Sequence, residues 1–358
     1  MSDIIIIGGG IAGISAAARL ARHGKVIVLE RENQLAFHAS GRSAAAFIKN
    51  YGNSVVRELN SASVEYLSCK NGGVLRPRGM MLLATNEERE EFQNEAEDFG
   101  LFEISSDEAK KKIPLINTNV VSYAAFSNDI SDIDTDLLLQ NFLKEARSLG
   151  TVVHLSTEVH SISFKNKKWS VVTNHDEYKA EILINATGAW ADRVAEIAGI
   201  KMLGFTPLKR SIARVPVPGG ADASSWPLFE GVKENWYAKP DAGQLIVSPA
   251  DEEPVQPQDA WADDLVLAKG IARFDALMER PVNRITSKWA GLRTFAPDRS
   301  PVIGFSKENS RFFWLCGQGG YGFQTAAAAS QLTCDLICEN SSELSEKVCK
   351  ALSPSRFL

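Results

Sequence analysis

Four consecutive isoleucines, Ile4–Ile7, stop at three consecutive glycines, and an Ala-rich stretch with Ile14 and Leu20 at helical spacing begins directly afterwards. A β-branched run of that kind predicts a short strand buried on both faces. The Ala-rich stretch predicts a helix that ends towards Gly24, and Val26 to Leu29 predicts a second strand closed by Glu30. Two strands joined through a helix make a βαβ unit, whose parallel sheet must be covered on both faces. Gly8, Gly10 and Gly13 fall in GxGxxG spacing at the junction of strand and helix. Gly8 permits the tight turn, Gly10 lets backbone approach a pyrophosphate, and Gly13 lets the helix pack on the sheet. The helix N-terminus presents N–H groups to phosphates, and Glu30 can accept hydrogen bonds from ribose hydroxyls. The pattern points to a dinucleotide without saying which.

A chain of 358 residues suggests about two domains. With 44% hydrophobic and 23% charged residues it has globular composition, and a net charge of −5 gives no basic field for nucleic acid. The five cysteines, Cys69, Cys316, Cys334, Cys338 and Cys349, are odd in number and unevenly spread, as expected of reduced thiols in a cytoplasmic protein. Cys334 and Cys338 share an expected helix, but no His or Cys stands near them in sequence, so no metal site is expected. The apolar N-terminal run is preceded by Met-Ser-Asp, with Arg19, Arg22 and Lys25 after it, which argues against a signal peptide. No integral membrane segment is expected.

Further along, helices are expected over 53–69, 86–100 and 137–149, the last opened by Asp134 and Asp136. Strands are expected at 80–85, 120–127 and 311–317, and at 151–157, 159–164, 169–173 and 181–186 as in a meander. Residues 235–249 predict a hairpin turning at Pro240 to Gly243. With no repeat, low-complexity tract or long linker, a second domain must be inserted into the first. Gly317, Gly319, Gly320 and Gly322 precede another Ala-rich helix. Missing Cβ atoms there would let backbone approach a flat ring, and the helix end would favour negative charge on a reduced isoalloxazine. The plainer alternative is a loop that only turns the chain.

These segments together resemble the FAD-dependent D-amino acid oxidase family, and within it the D-arginine dehydrogenase type. The resemblance rests on IIIIGGGIAG with VIVLERE, SGRSAA at 40–45 with Tyr51-Gly52, DIDTD at 132–136, NATGAWAD at 185–192, WYAKPDAG at 236–243, WAGLR at 289–293 and GQGGYGFQT at 317–325. It implies an α/β protein: a glutathione-reductase-like FAD-binding Rossmann domain (1–78, 134–204, 296–358) with an inserted α+β substrate-binding domain (79–133, 205–295). It implies non-covalent FAD held by Gly8, Gly10, Ile11, Ala12, Gly13, Glu30 and Arg31; by Ser40, Gly41, Arg42, Ser43, Ala44 and Ala45; by Ala186, Thr187, Gly188 and Trp190; and by Gly319, Gly320, Tyr321, Gly322, Phe323 and Gln324. Trp190 also reads as core packing, and His38, the one histidine beside a flavin segment, as structural.

An α-carboxylate is best held by the planar fork of an arginine. Arg293 in WAGLR matches the family position for that task, and Tyr51 and Tyr237 match the tyrosines around the substrate. Arg210 matches another pocket position or is a plain strand arginine. Relatives specific for D-arginine carry a glutamate where this chain has Gly79 and a histidine where it has Ala46. The loss of a counter-charge favours neutral or hydrophobic side chains, while Arg78 could attract an acidic one. The implied reaction is oxidative deamination of D-amino acids to 2-oxo acids and ammonia through an imino acid, hydride passing from Cα to flavin N5. The alternative keeps the fold and oxidises a secondary amine, sarcosine- or glycine-like, or a 2-hydroxy acid. Oxygen and a quinone stay open as electron acceptors.

Overall fold

The computed structural model describes residues 3–357. Strands Ile4–Ile7, Val26–Leu29, Val152–His154, Ile182–Asn185 and Phe312–Cys316 form a parallel sheet with Ile4–Ile7 near its middle, and Val302–Phe305 adds an antiparallel edge. The isoleucine run is explained by its two faces. Ile4 and Ile6 point into a core shared with helices Ile11–Leu20, Thr135–Ser148 and Gly322–Ile337, while Ile5 and Ile7 join Trp169, Val194 and Trp314 on the other side. The first helix ends at Leu20, short of Gly24.

The expected four-strand meander divides. Val159–Lys165, Lys168–Thr173 and Glu177–Ala180 form a separate antiparallel sheet, whereas Val152–His154 and Ile182–Asn185 belong to the parallel one. Local sequence marks a strand, but its partner is chosen by long-range packing.

A nine-stranded sheet draws its strands only from 80–127 and 206–295. Its long strand Thr206–Val215 pairs along its length with Ser287–Phe295. The hairpin Tyr237–Asp241 with Gln244–Ser248 turns at Ala242-Gly243, both at positive φ, so Pro240 and Asp241 lie in the ladder. Residues alternate between faces, as a pleated strand requires. Ala213, Phe229, Ala238 and Val247 pack with Trp236 and Phe274 in one core, leaving Arg210, Glu230, Tyr237 and Lys239 on the opposite face. Lys239 Nζ reaches Asp132 Oδ1 at 2.7 Å and Ala45 O at 3.3 Å, tying this sheet to the SGRSAA segment.

The fold also carries His23 beside Cys334 and Cys338, contrary to the expectation that no third ligand stands near that pair. The three are separated in sequence and joined by helix packing. Among the described residues no helix is long and apolar enough to cross a membrane.

Candidate active site

The strands Ile4–Ile7, Val26–Leu29 and Ile182–Asn185 all end at one cavity, the position at which open parallel sheets bind ligands. Gly8, Gly10, Ile11, Ala12, Glu30, Arg31, Ser40, Arg42, Ser43, Ala44, Ala45, Ala186, Thr187, Gly188, Trp190, Gly319, Gly320, Gly322, Phe323 and Gln324 line it, together with Arg210, Tyr237 and Arg293. Gly13, Gly41, Tyr51 and Tyr321 do not. A Cβ on Gly13 would lie 2.0 Å from Gly8 O, and one on Gly41 would lie 2.3 Å from Ala36 O, so both glycines serve close backbone packing. Gly8 has φ +109° and a Cβ there would meet Ala186 O at 2.4 Å.

The donor set fits a dinucleotide. Helices Ile11–Leu20 and Gly322–Ile337 both begin at the cavity, and neither N-cap residue, Gly10 or Tyr321, closes its helix with a side chain. Two positive helix ends therefore face the same space. Glu30 is held by two backbone N–H groups, from Gly9 to Oε2 at 2.7 Å and from Glu32 to Oε1 at 2.9 Å. Ser40 Oγ accepts from Ile11 N at 3.0 Å, joining the SGRSAA segment to the first helix turn.

Several readings change. Four of the five Arg42 N–H donors go to Phe37 O, Ala260 O, Ala290 O and Asp259, so its guanidinium ties the SGRSAA segment to residues 259–260 and to Ala290. Arg78 pairs with Asp132 at 2.7 Å, donates to the carbonyls of Ser224 and Trp226 and does not line the cavity, so it is not placed to attract an acidic substrate. Trp190 lines the cavity and also packs on the Ala189, Ala290 and Leu292 cluster, with Arg31 4.1 Å above its indole, while His38, 4.6 Å from that ring, is bound to Glu32 at 2.8 Å as a structural histidine. The glycine loop opens space for this chain's own side chains: a Cβ on Gly319 would strike the Phe295 ring at 2.2 Å, and one on Gly320 would approach Arg293 Nη1 at 3.0 Å. Gly79 has φ +76° and does not line the cavity, so backbone geometry accounts for it, whereas Ala46 does line it.

Around Arg293 a polar chain forms. Arg293 Nη1 donates to the Tyr51 hydroxyl at 3.4 Å, and that hydroxyl donates to Glu234 Oε2 at 3.3 Å. Burial pushes the Tyr51 phenol up, so it stays neutral, with Arg293 the main opposing charge. Burial would lower the Arg293 pKa, but Tyr51, Tyr237 and Glu234 outweigh it and the guanidinium stays charged. Arg210, 5% exposed, reaches Glu252 Oε1 at 3.2 Å, while its Nε and the Tyr237 hydroxyl are buried without partners.

Two acids behind this polar chain, neither of them lining the cavity, escaped the sequence reading. Glu230 is 7% exposed with Oε1 unpartnered. Burial, then Glu234 and Glu95, raise its pKa well above the carboxylate range, with Arg210 opposing. Glu234 follows Lys233, and the two have φ of 44° and 62° respectively, a strained corner that aims Glu234 at Tyr51. An acid inside the apolar run Pro227-Leu228-Phe229 was the one available signal.

The chain is 24% identical to FAD-dependent oxidoreductase domain-containing protein 1 of Bos taurus over 94% of its own length and 81% of that protein. It is 24% identical to a glycine oxidase of Bacillus licheniformis, over 94% and 93% of the two chains. Its fold matches the crystal structure of L-proline dehydrogenase from P. horikoshii with a TM-score of 0.84 at 24% identity, covering 99% of this chain and 97% of that one. The family described as FAD dependent oxidoreductase (DAO) matches residues 3–336, nearly the whole of the chain. A Rossmann-like unit, an inserted sheet and a cavity faced by two helix N-termini are thus the parts of an FAD-binding oxidoreductase, and this chain belongs to the DAO family.

Proposed function

We propose that this protein oxidises the C–N bond of a small amino acid with a primary or secondary nitrogen, a glycine-, sarcosine- or proline-like substrate. The observation that carries the reading is Arg293: a charged guanidinium on the cavity wall whose partner is the neutral Tyr51. Among the described residues it makes no ion pair, in contrast to Arg210 with Glu252. A substrate carboxylate supplies the missing anion and fits the guanidinium fork with two parallel hydrogen bonds. Tyr51 and Glu234 fix the guanidinium, and the Tyr237 hydroxyl is free to donate to the same carboxylate. FAD, when bound, supplies the acceptor for the hydride that leaves Cα. Orientation of the Cα–H bond is then the chain's principal contribution.

Residues 1–78, 134–204 and 296–358 make the FAD-binding unit in this reading, and 79–133 with 205–295 the substrate-binding unit. The separate origins of the two large sheets support that division. The glycine oxidase relative supports a small amine substrate. Oxidation of neutral D-amino acids is the second reading, and Ala46, Ile212 and Leu292, which give the cavity apolar surface, favour it.

An anaerobic screen by flavin absorbance tests both. Bleaching by glycine, sarcosine or proline supports the first reading, and bleaching by D-leucine or D-methionine alone the second. Bleaching by 2-hydroxy acids only, or by nothing, removes amine oxidation. Repeating positive reactions with oxygen or a quinone then identifies the acceptor.

A further inference from the structure

Helices Ile11–Leu20 and Gly322–Ile337 run side by side in the same direction. A Cβ on Gly322 would lie 3.5 Å from the Ile11 side chain at their starts, and Cys334 Sγ lies 3.8 Å from Arg19 O near their ends. Their starts face the cavity, so the thiol end is about a helix length away, roughly 15 Å at 1.5 Å per residue.

At that end two thiols and an imidazole converge. Cys334 and Cys338 stand one helical turn apart and therefore share a face. His23 is placed by the turn that follows the first helix, its N–H bonded to Leu20 O at 2.8 Å. A ring nitrogen and the two Sγ atoms all lie within 4.8 Å of one another. Bond lengths of about 2.3 Å to sulfur and about 2.0 Å to nitrogen put tetrahedral ligands about 3.5 Å apart, so adjustments of about an ångström close the set. Burial is graded: Cys334 is buried, Cys338 half-buried and His23 exposed. An ion can therefore enter from solvent and keep a water.

We propose that His23, Cys334 and Cys338 form a metal site for a soft d10 cation of the Zn2+ or Cd2+ class, with water in the fourth position, separate from the FAD cavity. Two sulfurs and an imidazole with no carboxylate exclude Mg2+ and Ca2+ as fitting ions. Binding balances as one divalent cation taken up for two thiol protons released, with two metal–sulfur bonds formed and no electron transferred. The ion would cross-link the far ends of both cofactor-facing helices, and holding the folded state in this way raises its stability by mass action.

The test titrates the reduced, FAD-loaded protein with Co2+. A saturable thiolate-to-cobalt band with ligand-field absorption in the red, clear of the flavin and abolished by Zn2+, is expected. Cys338→Ser and His23→Ala each remove a direct ligand near the surface. Each should weaken binding by more than ~100-fold, since even an outer-shell partner is worth about 10–100-fold. Cys69→Ser and Cys349→Ser should bind as wild type does, and flavin absorbance reports that every variant is folded. Absence of the thiolate band at millimolar cobalt, or its survival in folded Cys338→Ser, overturns the site. Neither result depends on which substrate the flavin oxidises.

Discussion

Arg210 stands opposite Gly291 and Arg293 opposite Leu208 in the antiparallel ladder, so the two guanidiniums leave the same sheet face from neighbouring strands. Their partners divide the work. Arg210 is neutralised by Glu252, which also takes Arg299 at 2.9 Å, while Arg293 is left for an anion from outside the chain. Arg293→Ala should therefore lower kcat/KM by ~30-fold or more, because losing one partner of a hydrogen-bonded buried charge pair costs about 2–5 kcal/mol. FAD content should not change. Arg293→Lys should recover little, since an ammonium lacks the planar fork. Steady-state kinetics beside the flavin-to-protein absorbance ratio decides it, and a fully flavinated Ala variant with unchanged kcat/KM removes Arg293 from the site.

Gly320→Ala separates the two readings of the glycine loop. Its Cβ would press on Arg293 Nη1 at 3.0 Å and Cζ at 3.1 Å, and the flexible side chain rather than the backbone would give way. A misplaced carboxylate anchor can cost up to ~100-fold in kcat/KM. The expected result is reduced kcat/KM with FAD retained. Loss of FAD instead would show that the glycine faces the cofactor.

What was legible in the sequence was local. Ile4–Ile7, the glycines and the helix after them announce themselves within the first thirty residues, because period, turn chemistry and burial all act on neighbours. Glu230 was hidden because its burial comes from the parallel pairing of Leu228–Gly231 with Met80–Ala84, which no local pattern encodes. The same is true of His23, brought to Cys334 by helix packing. Gly79 misled for the opposite reason: an absent carboxylate looked like a choice of substrate, while its left-handed φ is a backbone requirement.

Neutral substrates should be preferred over D-arginine and D-lysine. Ala46 offers no polar group on the cavity wall, and Glu230, buried behind Arg210 and Tyr237, does not line the cavity and is held in its neutral form. Burying a guanidinium there leaves its desolvation uncompensated, whereas an apolar side chain gains about 25 cal/mol per Å². Comparing kcat/KM for D-leucine, D-methionine and D-arginine checks this. Ala46→His is the variant to use, because Gly79→Glu would strain φ +76° and crowd Phe126 at 3.0 Å. A tenfold wild-type preference for D-arginine would mean that a carboxylate reaches the substrate side chain, and would overturn this reading.

Heat or acid should release the flavin intact. Cys316, the cysteine nearest the glycine loop in sequence, is fully buried, donates to Asn185 O at 3.0 Å and does not line the cavity. Burial also raises its thiol pKa, which leaves little thiolate to attack a ring. Yellow colour remaining with the acid precipitate would contradict this.

Glu230→Gln should change how stability depends on pH. The folded protein raises the Glu230 pKa well above its ordinary value, so the folded state binds this proton more tightly than the unfolded chain does. Stability from this group is complete below the unfolded pKa of about 4.3 and is lost as pH rises through the folded pKa. Glutamine keeps the shape and has no proton to lose, so the variant should gain on wild type as pH rises above the unfolded pKa and towards the raised folded one. Glu95, also raised by burial, is common to both proteins and cancels in the difference. Denaturant midpoints of the two FAD-saturated proteins across that range make the comparison. A variant that instead loses stability against wild type at the upper end would mean that folded Glu230 is ionised and paired with Arg210.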